Sequence, residues 1–280
     1  MNVLKKKNLL LCLCIFLCVL TCILAVALIS AREKEKTEQN IKFLKSYLSQ
    51  NGSGNFFAAS QAGRYYAYTS DGKTASKELP DLIGDKYIEY MTEDTIYMTR
   101  REDSVITVYR TDYSFRDTEE VYSYENPDTV TSRYFFDKDM LYYSSGGKYY
   151  IYCFSDGSLT ETERSGYMNY QKYSYSVGSG SSKNKIVLKN KETGKTVTLN
   201  VKEIIGDITQ KDELAKYLYD SGKFLFFDVE AKKDKIYFIF ASDGIYTAYS
   251  YGFDTDEFEF FSAIASDVIS GGGGEKFYFE

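Results

Sequence analysis

The chain has 280 residues, with no His, no Trp, two Pro, 28 Tyr and 19 Phe. Without His there is no Ser-His-Asp triad, no Cys-His dyad and no imidazole metal site. With Lys5, Lys6 and Lys7 set aside, 31 basic residues face 40 acidic ones, which argues against nucleic acid as a partner and against docking of the body on anionic lipid.

The first element is apolar. Asn8 to Ile29 is 22 residues without a charge. As a helix it is about 33 Å long, close to the hydrocarbon thickness of a bilayer. Signal-peptide cores are about 7–15 residues, so residues 1–31 read as a single-pass anchor through residues 8–29. A cleaved signal is the alternative, because Ala25-Val26-Ala27 has the small-x-small form. Thr21 before Cys22 and Leu17 before Cys18 fit a lipoprotein site poorly. Three Lys precede the tract and five basic residues follow it closely. A basic leader before an apolar run is nevertheless how a signal begins, and large domains translocate despite their charges. The body is expected to be extracytoplasmic.

Four of the five cysteines lie in this tract: Cys12, Cys14, Cys18 and Cys22. Cys153 is then alone in the body, so no internal disulfide holds it. Cys14, Cys18 and Cys22 follow one another at i, i+4 and form a stripe. The ordinary reading is apolar filler. The alternative is a dimer seam through Cys14, Cys18 and Cys22, since small residues let helices approach in lipid.

Residues 32–54 form a stalk and linker. Arg32 to Gln50 has helical character, with Ile41, Leu44, Tyr47 and Leu48 on one face, and Asn51-Gly52-Ser53-Gly54 stops it. The end of this helix is expected to pack on the body.

From residue 55 to 280 the pattern changes to short aromatic strands punctuated by Asp-Gly, Gly-Gly and Ser-Gly turns. Tyr65-Tyr66-Ala67-Tyr68-Thr69-Ser70-Asp71-Gly72 matches Tyr237-Phe238-Ile239-Phe240-Ala241-Ser242-Asp243-Gly244 at an offset of 172 residues, four times 43. Ser155-Asp156-Gly157 is a third copy near the midpoint. A repeat of that size, with about four strands, is a β-propeller blade. The fold class is therefore all-β, a propeller-like ring of about five four-stranded blades. A stack of open sheets and a β-sandwich are the runners-up. Thr209 to Asp220 reads as a helical insertion, with Thr209 as N-cap and Asp212 at N3. Gly271 to Gly274 reads as a flexible link to a last strand, Lys276 to Phe279. That strand is expected to pair with Asn55–Ala58 and close the ring. On these strand-turn-strand repeats the body resembles the extracytoplasmic β-propeller proteins of bacteria, the broad TolB-like class. It lacks the Trp-Asp and Gly-His marks of WD40 blades and the spacing of sialidase Asp-boxes.

The candidate chemistry is sparse. Tyr and Phe on strands are first of all core and cross-strand pairs, and second a platform for a sugar ring or a protein. Asp137 with Asp139, and Asp254, Asp256 and Glu257, are polar turns first and Ca²⁺ ligands second. A glycosidase needs two carboxylates at a set separation. A sialidase also needs an arginine cluster, but Arg64, Arg100, Arg101, Arg110, Arg116, Arg133 and Arg164 follow no repeat. Lys and Glu are mixed along the chain, which leaves room for a local basic patch. We assign no catalytic, cofactor-binding or metal residue, and no cofactor. The expected function is a membrane-anchored binding module for a protein or glycan. The alternative is a carbohydrate-active hydrolase on a propeller.

Overall fold

The computed structural model describes residues 2–52, 54–127, 134–164, 171–178, 184–222, 224–232, 234–266, 269 and 274–280, with side chains from residue 16 onward. The chain divides into two compact units, Met1–Phe43 and Leu44–Glu280.

The first unit belongs to a single helix, α1 (Asn2–Asn51), whose last two turns fall in the second unit. There is no break between apolar tract and stalk. No Gly or Pro interrupts residues 2–51, so nothing stops the i→i−4 ladder before Gly52. Phe16, Ile23 and Val26 on this helix are exposed. It is long and apolar enough to cross a membrane, and a signal sequence would pass the same test. Cys18 and Cys22 are exposed free thiols, and the Cys14 side chain lies outside the described residues.

The second unit is a five-bladed propeller of antiparallel sheets. One blade comprises β1 (Phe57–Gln61), β2 (Tyr65–Ser70) and β3 (Lys73–Glu78). The next has β4 (Tyr87–Met91), β5 (Ile96–Glu102), β6 (Val105–Thr111) and β7 (Glu119–Glu125). The third has β8 (Tyr134–Asp137), β9 (Met140–Ser145), β10 (Lys148–Cys153) and β11 (Leu159–Thr162). The fourth has β12 (Tyr173–Val177), β13 (Lys185–Asn190) and β14 (Thr196–Asn200). The helices α2 (Val201–Lys211) and α3 (Glu213–Asp220) follow it. The fifth has β15 (Leu225–Ala231), β16 (Ile236–Ser242), β17 (Ile245–Gly252) and β18 (Glu257–Ala265). The last strand, β19 (Glu275–Phe279), returns to pair with β1, giving the order β19-β1-β2-β3. The register runs from Phe57 opposite Phe279 to Gln61 opposite Glu275. The two chain-distant strands thus cover each other's open edge and the ring closes as expected, although the partner strand is Phe57–Gln61 rather than Asn55–Ala58. The link at 271–273 lies outside the described residues.

Strands of the first and fifth blades are covered on both faces, and this explains their aromatic richness. Along β19, Tyr278 joins a core cluster with Phe56, Tyr66 and Tyr90, while Phe277 and Phe279 join another with Phe57, Tyr237 and Tyr246. A strand buried on both sides reads as a continuous apolar run, as in Ile236–Phe240, every residue of which is buried. Between the second and third blades the rings of Tyr122 and Tyr152 stack at 3.8 Å, and those of Tyr124 and Tyr143 lie 4.0 Å apart.

The fourth blade has three strands among the described residues. Two expectations need correction. The repeat is present, but its copies differ in phase. Ser70-Asp71-Gly72 and Ser155-Asp156-Gly157 join third to fourth strands, whereas Ser242-Asp243-Gly244 joins second to third. The likeness is one of hairpins, and the first strands begin unevenly, at Tyr87, Tyr134, Tyr173, Leu225 and Glu275. The helical insertion is two helices. Asn200 caps α2, its side chain accepting from the Lys202 amide, and Asp212 caps α3, accepting from Ala215. Thr209 lies inside α2, where its hydroxyl donates to the Ile205 carbonyl at 2.8 Å. The extended backbone of Asp212, φ −119° and ψ 123°, separates the helices and places its carboxylate over the amides of the second.

Candidate functional site

The turns between first and second strands gather on one face of the ring. The β8–β9 turn contributes Asp137, Lys138 and Asp139, and the β15–β16 turn contributes Lys232, Asp234 and Lys235. Tyr90 near the end of β4 and Phe279 and Glu280 at the end of β19 complete the wall, with Met140, Tyr142 and Tyr237. Together they enclose a cleft of about 580 Å³. Four blades supply it. The corresponding turn of the fourth blade includes residues 179–183, which lie outside the described ones.

Local structure holds these groups in place. Lys138 takes φ 51°, and its amide donates to the Tyr90 hydroxyl at 3.0 Å. The Asp139 carboxylate accepts from the Ser155 amide at 3.0 Å and from the Cys153 thiol at 3.5 Å. This anchors the turn to the Ser-Asp-Gly loop of the same blade. The rings of Phe279 and Tyr237 stack at 4.0 Å with 7° between planes, and the Lys232 ammonium stands 5.6 Å above the Phe279 ring. Lys232 also faces Glu230 at 3.4 Å. The Glu280 carboxylate accepts from the Glu93 amide at 3.0 Å.

Burial dominates the electrostatics. It pushes the Tyr90 phenol up to about 12, with the Lys138 amide acting against it and the Asp137 and Glu280 charges adding to it. Burial likewise raises the Tyr237 phenol, helped by Asp234. On β15, Glu230 is raised by burial and partly lowered by Lys232, and Asp228 is raised by burial and lowered by its bond from the Val229 amide. The cleft therefore presents neutral phenols and a mixed rim of ammonium and carboxylate groups.

The residues singled out in the sequence divide. Asp137 and Asp139 meet at the cleft. Asp254, Asp256 and Glu257 lie elsewhere, on the turn before β18 and its first residue, where Asp256 accepts from the Tyr251 hydroxyl at 2.6 Å. No group of three or more acidic or thiol side chains fit to hold a metal occurs among the described residues. The described arginines do not converge: Arg100 pairs with Glu102 at 3.0 Å, Arg110 with Glu119 at 2.8 Å, and Arg64 donates to the Gly84 carbonyl. Arg133 lies outside the described residues, and no arginine is among the residues lining the cleft. Most strand tyrosines are buried between blades, while Tyr87, Tyr175 and Tyr219 are exposed. Lys232, Asp234, Lys235 and Glu280 escaped sequence reasoning. Their only signal is position in a first-to-second-strand turn or at the closing strand's end, and this depends on the blade phase.

No family model and no curated protein matches the chain. Among solved structures, TolB from Acinetobacter baumannii aligns over 77% of this chain and 54% of its own, at 14% identity and a TM-score of 0.28. A protein from Lactobacillus plantarum aligns over 78% of this chain and 69% of its own, at 10% identity and a TM-score of 0.26. An oligogalacturonate lyase in complex with manganese aligns over 72% and 48%, at 10% identity and a TM-score of 0.24. The chain spans about half the length of the TolB chain. TolB, whose class the repeats resemble, is thus among the structural neighbours. At these scores the propeller assignment rests on the sheet pairing itself.

Proposed function

We propose that the chain is a membrane-anchored, extracytoplasmic binding module whose cleft on the first-turn face receives a protein segment. The observation that carries this reading is the composition of the cleft. Aromatic walls from Tyr90, Tyr142, Tyr237 and Phe279 stand beside Lys138, Asp139, Asp234 and Lys235, with no arginine among the lining residues. Tyr and Phe supply large rigid contact area, and the mixed rim sets register and on-rate. A peptide offers both signs of charge and apolar side chains to match. The apolar helix supplies the anchor, and its basic leader supplies the orientation.

The test is site-specific photo-crosslinking of the full chain in cells. A crosslinker at Lys138 or Lys235 should give one discrete protein adduct, and the same group at exposed Lys77 on β3 should give none. Adducts from all three positions, or from none, would overturn the reading. Hydrolysis of a glycan by the purified protein, abolished by Asp137→Asn or Asp139→Asn, would replace it with the hydrolase reading.

A further inference from the structure

Residues 172–202 carry seven lysines and a single acidic residue, Glu192, in a chain whose net charge is −6. Positive charge is therefore segregated in the fourth blade rather than mixed evenly. The pairing of β12, β13 and β14 sorts its side chains between two faces. Tyr173, Ile186 and Leu188 lie on one face and are buried, with the Tyr173 ring stacked on Phe253 at 5.3 Å. Ser174, Ser176, Lys185, Val187, Lys189, Thr196 and Thr198 share the other. On that second face Ser176, Lys185, Lys189, Thr196 and Thr198 are exposed.

The lysines of this blade serve different ends. Lys172 pairs with Glu192 at 3.5 Å, and Lys195 stands over the Phe253 ring at 5.3 Å. Lys185 and Lys189 make no ion pair among the described residues. Four residues apart on one strand, their side chains leave the same face about 13 Å from each other. Hydroxyls flank Lys189 and the residue between the two lysines: Ser174 and Thr196 lie opposite Lys189, and Ser176 and Thr198 opposite Val187, while Asn200 lies opposite Lys185.

We infer that this face is a second binding surface, separate from the cleft, and that it takes a linear anionic glycan. Uncompensated ammonium groups call for an anionic partner. The rest of the face excludes the other polyanions. Among the described residues its only apolar side chain is Val187, whereas a protein interface needs an aromatic or aliphatic anchor at its centre. Single-stranded nucleic acid needs rings on which bases stack, and the described residues of the face include none. A membrane surface engages an amphipathic helix or a basic cluster denser than two lysines. Hydroxyls beside Lys189 and between the two ammonium groups match sugar hydroxyls and carboxylates along an extended chain.

The test is affinity electrophoresis of the full-length protein in neutral detergent, through gels holding alginate or dextran. Retardation by alginate and not by dextran is expected. The Lys185→Ser, Lys189→Ser pair should weaken it by about tenfold, the effect of two exposed charge contacts of ordinary strength. The Lys77→Ser, Lys216→Ser pair changes net charge equally on other exposed sites and should leave retardation intact. Thermal melting confirms that both variants are folded. Equal retardation by both polymers, equal loss in both lysine pairs, or full retention after the Lys185, Lys189 change would overturn the inference.

Discussion

The Tyr47 hydroxyl donates to Asp212 Oδ2 over 2.8 Å, while Oδ1 of the same carboxylate accepts from the Ala215 amide at 2.7 Å. One side chain thus caps α3 and ties it to the last turns of α1. The Phe260 ring meets Tyr47 edge-on at 5.3 Å, so the tie lies against the fifth blade. The wholly buried Tyr249 is beside it, and burial first, then the Asp212 charge, hold its phenol far above its ordinary range. Asp212→Ala removes the cap, worth about 1 kcal/mol, and a bond to a charged acceptor, worth about 2 kcal/mol. A fall in melting temperature of roughly 5–10 °C is expected. Tyr47→Phe loses only the second part and should fall less. Equal melting of Asp212→Ala and wild type in a thermal scan would refute the tie.

Closure by β19 predicts a global effect from a terminal change. Phe279 is buried between Phe57, at 5.2 Å, and Tyr237, at 4.0 Å. Phe279→Ala should cost roughly 3–5 kcal/mol. Deleting residues 275–280 should expose both edges of the ring. Amide exchange checks this, because protection should drop in the third blade as well as in β1.

Gly72 separates two effects of a glycine. Its φ is +69°, and a Cβ there would lie 3.0 Å from the Leu48 carbonyl oxygen. Gly147, at φ +78°, would carry a Cβ with nothing within 4 Å. Gly147→Ala should cost about 1 kcal/mol for its conformation alone. Gly72→Ala should cost more, since it also pushes the end of α1 from the turn. Paired denaturant titrations measure the difference, and equal costs would place no helix end against the turn.

Much of the body was legible because its signals are local. Two-residue turns demand left-handed backbone, and Asp71-Gly72 and Gly146-Gly147 provide it at φ values of 48°, 69°, 57° and 78°. The closing strand was legible from its aromatic pattern at the far end of the chain. Blade phase was not, because hairpins at different places in a blade share the same strand-turn-strand chemistry. The second helix cap was misread for a related reason: Asp212 suits a first-turn position as well as a cap, and only the break after Lys211 distinguishes them. The cleft was least legible, because Asp137, Lys235 and Glu280 meet only when four blades are arranged around one axis.

The carboxyl of Asp228 predicts a pH dependence. It sits at the bulge of β15, where burial raises it above its ordinary value although its Oδ1 accepts from the Val229 amide at 2.7 Å. A carboxyl raised by folding binds its proton more tightly in the folded state. Its contribution to stability is therefore lost as pH rises from its unfolded value through its folded one. Once ionised, Asp228 carries in the folded protein a charge that burial disfavours. Asp228→Asn keeps the acceptor for Val229 and removes that charge. The variant should melt at a higher temperature than wild type at pH 7, and the two should converge as pH falls toward 4, in the ordinary carboxylate range. Thermal scans across pH 4–8 measure the gap. A gap that stays constant, or that widens as pH falls, would mean that Asp228 gains stability from its charge where it sits.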